Sequence, residues 1–103
     1  MDLPEDWEQQ LMDALIELGC QRDSVVPEYP NGAEGPLEAN PEAQVHIAFN
    51  PRGAGIEFTG GVWLFMKESQ ERKIEQLSIV FPSQFEHGLQ EAKVALKNLL
   101  DSL

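Results

Sequence analysis

The chain is poor in the parts from which most enzymes and metal sites are built. Its 103 residues include one cysteine, Cys20, two histidines, His46 and His87, and seven lysines and arginines against eighteen acids. A lone cysteine forms no internal disulfide and has no second thiol for a redox or zinc pair, so a reducing cytoplasm is the expected setting. No stretch approaches the roughly 18 apolar residues of a membrane span. The opening Met1-Asp2-Leu3-Pro4-Glu5-Asp6 also lacks the basic and apolar regions of a signal peptide. The scarcity of bases argues against direct binding to DNA, RNA or an anionic membrane, each of which depends on a basic surface.

What is present is acid, unevenly placed. Of the net charge of −11, the first 43 residues supply eleven acids against a single base, Arg22, while residues 44 to 103 hold seven acids and six bases. The acidity therefore belongs to the first helix and the segment after it, and it favours a basic partner. With 42% hydrophobic and only 24% charged residues, the composition is that of one globular α+β domain spanning residues 1–103.

A helix is expected first, opened by Asp2 as N-cap with Glu5 as capping-box partner and Pro4 in its first turn, and closed near Gly19. Leu3, Trp7, Leu11, Ala14, Leu15 and Leu18 recur at three- and four-residue spacing as its core-facing stripe. Asp6, Gln10, Asp13 and Glu17 form a second, acidic stripe, and Met12 and Ile16 lie off both as candidate interface residues. From residue 20 to 44 the chain is rich in proline, glycine and acid without sustained period, and reads as one long mobile loop with an edge-strand anchor at Ser24-Val25-Val26. Three or four antiparallel strands follow. Val45, Ile47 and Phe49 alternate with His46 and Ala48, and a turn runs through residues 50–55. Ile56-Glu57-Phe58-Thr59 and Val62-Trp63-Leu64-Phe65-Met66 flank Gly60-Gly61, either a hairpin turn or a bulge in one long strand. A polar turn at 68–72 leads to Leu77, Ile79 and Phe81 in the last strand. Pro82 stops it, and Ser83 with Glu86 opens a C-terminal helix whose seam is Phe85, Leu89, Ala92, Leu96, Leu99 and Leu103. The element order α, three to four β, α predicts both helices on one face of the sheet.

Candidate chemistry is sparse. His46 reads as an ordinary strand histidine. His87 and Glu91, four apart on the last helix, share a face but make only two ligands. Cys20 follows a helix C-terminus, where the dipole disfavours a thiolate. The glycines at 53, 55, 60 and 61 have no lysine after them and lie between strands, so turn geometry explains them better than phosphate binding. No catalytic constellation, metal or cofactor is expected, and the chain reads as a non-enzymatic protein.

Two features point to a partner. Asp6, Asp13 and Glu17 are spaced comparably with phosphates along a nucleic-acid backbone. Val62-Trp63-Leu64-Phe65-Met66 is apolar on both faces, where a sheet with one covered face should alternate. Asp6, Asp13, Glu17, Glu28, Tyr29, Glu34, Glu38, Trp63 and Phe65 are therefore the candidate partner-binding residues. The expected role is an inhibitor that occupies the basic, nucleic-acid-binding surface of another protein. In size and charge alone the chain is similar to phage anti-restriction and anti-CRISPR proteins. The alternative is a homodimeric assembly subunit or secretion-type chaperone that uses Met12, Ile16 or the Trp63–Phe65 patch.

Overall fold

The computed structural model describes residues 5–28, 32–51, 58–77 and 85–103. Along these run helix α1 (Trp7–Glu17), a 3₁₀ turn (Arg22–Ser24), strands β1 (Val26–Glu28), β2 (Gly32–Pro36), β3 (Ala43–Pro51), β4 (Phe58–Met66) and β5 (Arg72–Gln76), and helix α2 (Phe85–Asp101). The strands form one antiparallel meander in the order β1-β2-β3-β4-β5. The α+β class and the two helices on one sheet face are as expected.

Helix α1 starts at Trp7, later than the sequence signals suggested. Asp6 is its N-cap, though its carboxylate bonds the Gln10 side chain instead of a backbone N–H. The cap expected at Asp2 lies outside the described residues. The helix ends as Gly19 implies: with φ of +109°, Gly19 lets its own N–H reach the Ile16 carbonyl and the N–H of Cys20 reach that of Leu15, a Schellman closure.

The largest departure is the segment from 20 to 44, which is built into the sheet. Cys20 and Leu37 form an isolated bridge, Gln21 donates to the Pro36 carbonyl and Glu38 to that of Gly19, so the chain leaves α1 already held beside β2. β1 and β2 then add two strands to the three or four read from the later sequence, which among the described residues are three, β3, β4 and β5. Their composition hid them, because Val-Pro-Glu and Gly-Ala-Glu-Gly-Pro carry little β propensity and no apolar alternation. Both glycines fit where a side chain does not. A Cβ on Gly32 would run into the Ile47 carbonyl oxygen, and one on Gly35 would lie 2.8 Å from Cγ2 of Val25.

Gly60 and Gly61 neither turn nor bulge. β4 runs straight through them in one-to-one register with β3, from Ala43 opposite Met66 to Pro51 opposite Phe58. The last strand, expected at Leu77, Ile79 and Phe81 after a turn at 68–72, instead begins at Arg72 and ends at Gln76. The turn at 52–55, the strand residues Ile56 and Glu57, Ile79, Phe81 and the Ser83 cap lie outside the described residues.

Under the helices, Ala33 of β2, Val45 and Ile47 of β3, and Val62 and Leu64 of β4 are at most 1% exposed. They meet Leu11, Ala14 and Leu15 of α1 and Leu89, Ala92 and Leu96 of α2 in one apolar core. α1 lies against β2, α2 against β4, and Lys73 of β5 donates to Ser102 just past the end of α2. Met12 and Ile16, the off-stripe residues of α1, pack against this core and are partly buried. At the sheet edges, β1 is three residues long with a central proline, and β5 is charged at Arg72, Lys73 and Glu75. Both features discourage further strand pairing.

Candidate functional site

Alternation along each strand sends every second residue away from the helices, and the register decides which of these become neighbours. On that outer face Glu34 stands opposite His46, His46 opposite Trp63, and Trp63 opposite Ile74. One step along, Gln44, Phe65 and Arg72 form a second row. The result is a continuous band across four strands, acidic at the β1–β2 side, with aromatic rings on β4 and Arg72 and Ile74 on β5.

Its parts are held by specific contacts. The rings of His46 and Trp63 stack with centroids 5.2 Å apart and planes 12° from parallel. The Arg72 guanidinium lies 5.7 Å above the centre of the Phe65 ring, within cation–π range. Nδ1 of His46 lies 2.9 Å from one Glu28 carboxylate oxygen and 3.2 Å from one of Glu34. Glu28, on β1, reaches the histidine across β2, where its own cross-strand neighbour is Gly32. Trp63 and Phe65 are half-buried, whereas Ile74 is 61% exposed. Glu28, His46, Trp63, Phe65, Arg72 and Ile74 line a shallow depression of about 470 Å³ on this face.

Among its described residues, the segment from 20 to 44 does not cover Trp63 and Phe65. It widens the sheet sideways through β1 and β2, and among the described residues both helices lie on the opposite side. The candidate residues accordingly fall into separate places. Asp6, Asp13 and Glu17 belong to the helix layer, where Gln10 donates to Asp6, Gln9 to Asp13, and Lys93 of α2 pairs with Glu17 at 2.9 Å. Glu38 lies past the end of β2 beside Gln21, Arg22 and Asp23. Tyr29 lies outside the described residues. Glu28, Glu34, Trp63 and Phe65 come together on the outer face. His46, Arg72 and Ile74 join them without having been singled out as a site. Alternation already placed His46 opposite Val45 and Ile47, but its neighbours depend on strand pairing that local sequence does not reveal.

The remaining ionisable features are local. Burial pushes the Cys20 thiol up to about 11, and its Sγ lies 3.7 Å from the Gly35 carbonyl oxygen. At one end of the sheet Glu42 is raised above the usual carboxylate range, first by a side-chain hydrogen bond with Glu68, then by burial and by the charge of that neighbour. Neither group adjoins a second catalytic partner in the contacts described. Comparison with protein-family models, curated proteins and solved structures finds no match for the chain.

Proposed function

We propose that this chain is a non-enzymatic protein-binding module whose docking surface is the outer face of the sheet and whose partner is basic. The observation that carries this reading is that Trp63 and Phe65, half-buried, and Ile74, exposed, lie together on the side away from both helices, with the carboxylates of Glu28 and Glu34 beside them. Aromatic groups partly accessible on a rigid sheet are the kind of anchor that dominates protein interfaces, and surrounding charge sets partner choice and encounter rate.

A second copy of the chain is a poorer occupant. Each copy carries a net charge of −11, so face-to-face pairing sets like charges against each other, and the off-stripe residues Met12 and Ile16 are engaged with the core. A basic surface that also accepts flat rings fits better, and nucleic-acid-binding grooves combine those two properties: cations for phosphates and platforms on which bases stack. In this reading Trp63 and Phe65 take the places of bases, Glu28 and Glu34 those of phosphates, and occupation of the groove inhibits the partner. The acids of α1 sit on the opposite layer and contribute to the long-range field more than to the contact.

The test is capture of partner from lysate by the immobilised chain at low and raised salt, with single-stranded nucleic acid as competitor, comparing Trp63→Ala and Phe65→Ala with the triple change Asp6→Asn, Asp13→Asn, Glu17→Gln. Loss of roughly thirtyfold in affinity on truncating either aromatic, about 2 kcal/mol, is expected. Salt and competitor should each weaken capture, and the helix variant should retain most of it. Capture that survives both aromatic changes but is lost in the helix variant would move the site to α1. A salt-insensitive homodimer by light scattering would replace the reading with self-assembly.

A further inference from the structure

We propose that Glu28, Glu34 and His46 form a binding site for a divalent metal ion of the zinc class. The proposal concerns the isolated chain; a bound dication would neutralise Glu28 and Glu34, so with the ion in place the docking role of the same face falls to Trp63 and Phe65.

Three donors of the right chemistry converge from three neighbouring strands. One atom from each, a carboxylate oxygen from either glutamate and a ring nitrogen from the histidine, lies within 4.8 Å of the other two. Imidazole with carboxylates is a donor set that suits zinc, manganese and related divalent ions. The two histidine–carboxylate distances are also those of neighbouring donors in a coordination shell. At metal–ligand lengths of about 2.1 Å, neighbouring donors around a six-coordinate ion stand about 3.0 Å apart and around a tetrahedral one about 3.4 Å. The two histidine–carboxylate separations are 2.9 and 3.2 Å.

Direct hydrogen bonding serves this arrangement poorly. Nδ1 carries at most one hydrogen, yet two carboxylate oxygens approach it, so one proton is shared between two acceptors that also repel each other. A dication bonded to the Nδ1 lone pair and to both carboxylates removes the competition and the repulsion together. The supporting structure fixes the donors in place. Trp63 stacks against the imidazole and sets its plane, and β2–β3 pairing puts Glu34 directly opposite His46. The site is only partly shielded: the histidine side chain is 12% exposed and each glutamate 31%. It borders the depression lined by Trp63 and Phe65, so positions not taken by protein donors face outward, where solvent or a group from a docked molecule completes the shell.

The test uses the full chain, stripped with a chelator and titrated with Zn²⁺ by calorimetry at physiological ionic strength, which screens loose attraction to the acidic surface. One ion per chain is expected. His46→Gln, Glu28→Gln and Glu34→Gln should each weaken binding by at least about tenfold, a loss that even groups outside the ligand shell produce at metal sites. His87→Gln should leave it unchanged. Circular dichroism checks that each variant folds, and where His46→Gln does not, the two more exposed glutamates carry the test. Substitution with Co²⁺ should give weak visible bands without a thiolate charge-transfer band, since Cys20 is buried among core residues. Absence of saturable binding to the folded chain would overturn the site and leave His46 as an imidazole held between two acids. Binding unaltered by all three changes, binding lost with His87→Gln, or a thiolate band would likewise overturn it. Because no partner is present, failure here leaves the aromatic docking surface to stand or fall on its own experiment.

Discussion

Residues one position apart on the same strands meet opposite fates in this sheet. Val62 and Leu64 of β4 are fully buried, while Trp63 and Phe65 between them and beside them keep part of their surface accessible. On β3, Val45 and Ile47 are enclosed and His46 looks the other way, towards two carboxylates and a tryptophan. The run from Val62 to Met66 is apolar throughout, so hydrophobicity does not separate the two faces. Cover separates them: α1 and α2 both pack on one side, and among the described residues nothing equivalent lies on the other. An apolar residue on a strand is thus not yet a core residue. It becomes one when another element removes the water from it.

The sharpest way to break this comparison is to truncate adjacent residues of β4. Leu64→Ala should cost about 3 kcal/mol, within the usual range for a large core side chain replaced by alanine. Trp63→Ala removes more atoms, yet should cost clearly less stability and should act mainly on binding. Urea denaturation of the two variants checks the difference. Equal losses would mean that the outer face is as enclosed as the inner one.

A second comparison uses the two glycines of β2. Gly32→Ala forces a methyl group against the Ile47 carbonyl oxygen, a backbone atom with little freedom to move, and should cost about 1–3 kcal/mol. Gly35→Ala meets the Val25 side chain first and should cost less, because a methyl of Val25 can shift more easily than a carbonyl. Thermal denaturation of the pair orders them. The reverse order would show that the packing of Val25 against β2 is the stiffer contact.

The smallest effect concerns Cys20 and is a probe of the covered side. Its thiol is raised from 9.0 to about 11 by burial, so the folded chain holds the proton to higher pH than the unfolded chain does. The associated stability is whole below about 9 and is lost as pH rises through about 11. Cys20→Ala should flatten that alkaline decline in melting experiments, and the native thiol should react slowly with a disulfide reagent at pH 8 until the chain is unfolded. Fast labelling of the folded chain would show that the α1–β2 junction opens readily.

Much of the fold was legible because its signals are local. The α1 stripe and the α2 seam are written at helical spacing: Leu11, Ala14, Leu15, Phe85, Leu89, Ala92 and Leu96 are buried and Trp7, Leu18 and Leu99 partly so, while Leu103, past the end of α2, is 54% exposed. The alternation in β3 identified the enclosed face, and Gly19 marked the helix end. Other features were hidden because their cause is not local. β1 and β2 have weak strand composition and exist through pairing with β3 and packing under α1. Gly60-Gly61 resembles a turn until the register carries β4 through it. Of the candidate site, Trp63 and Phe65 stood out by breaking the alternation, and Glu28 and Glu34 were noted only as part of an acidic segment.

The sequence by itself determined the helices, the central hairpin, the acidic bias of the first 43 residues and the surplus of apolar side chains on β4, since each follows from residue type and short-range period. Tertiary structure alone decided that Glu28, Glu34 and His46 share one site and that Trp63 stacks beside it. Glu28 and His46 are eighteen positions apart and meet only after three strands adopt a particular register, and that register is selected by burial of the opposite face. The core under the helices thus sets which polar groups become neighbours on the side it leaves open.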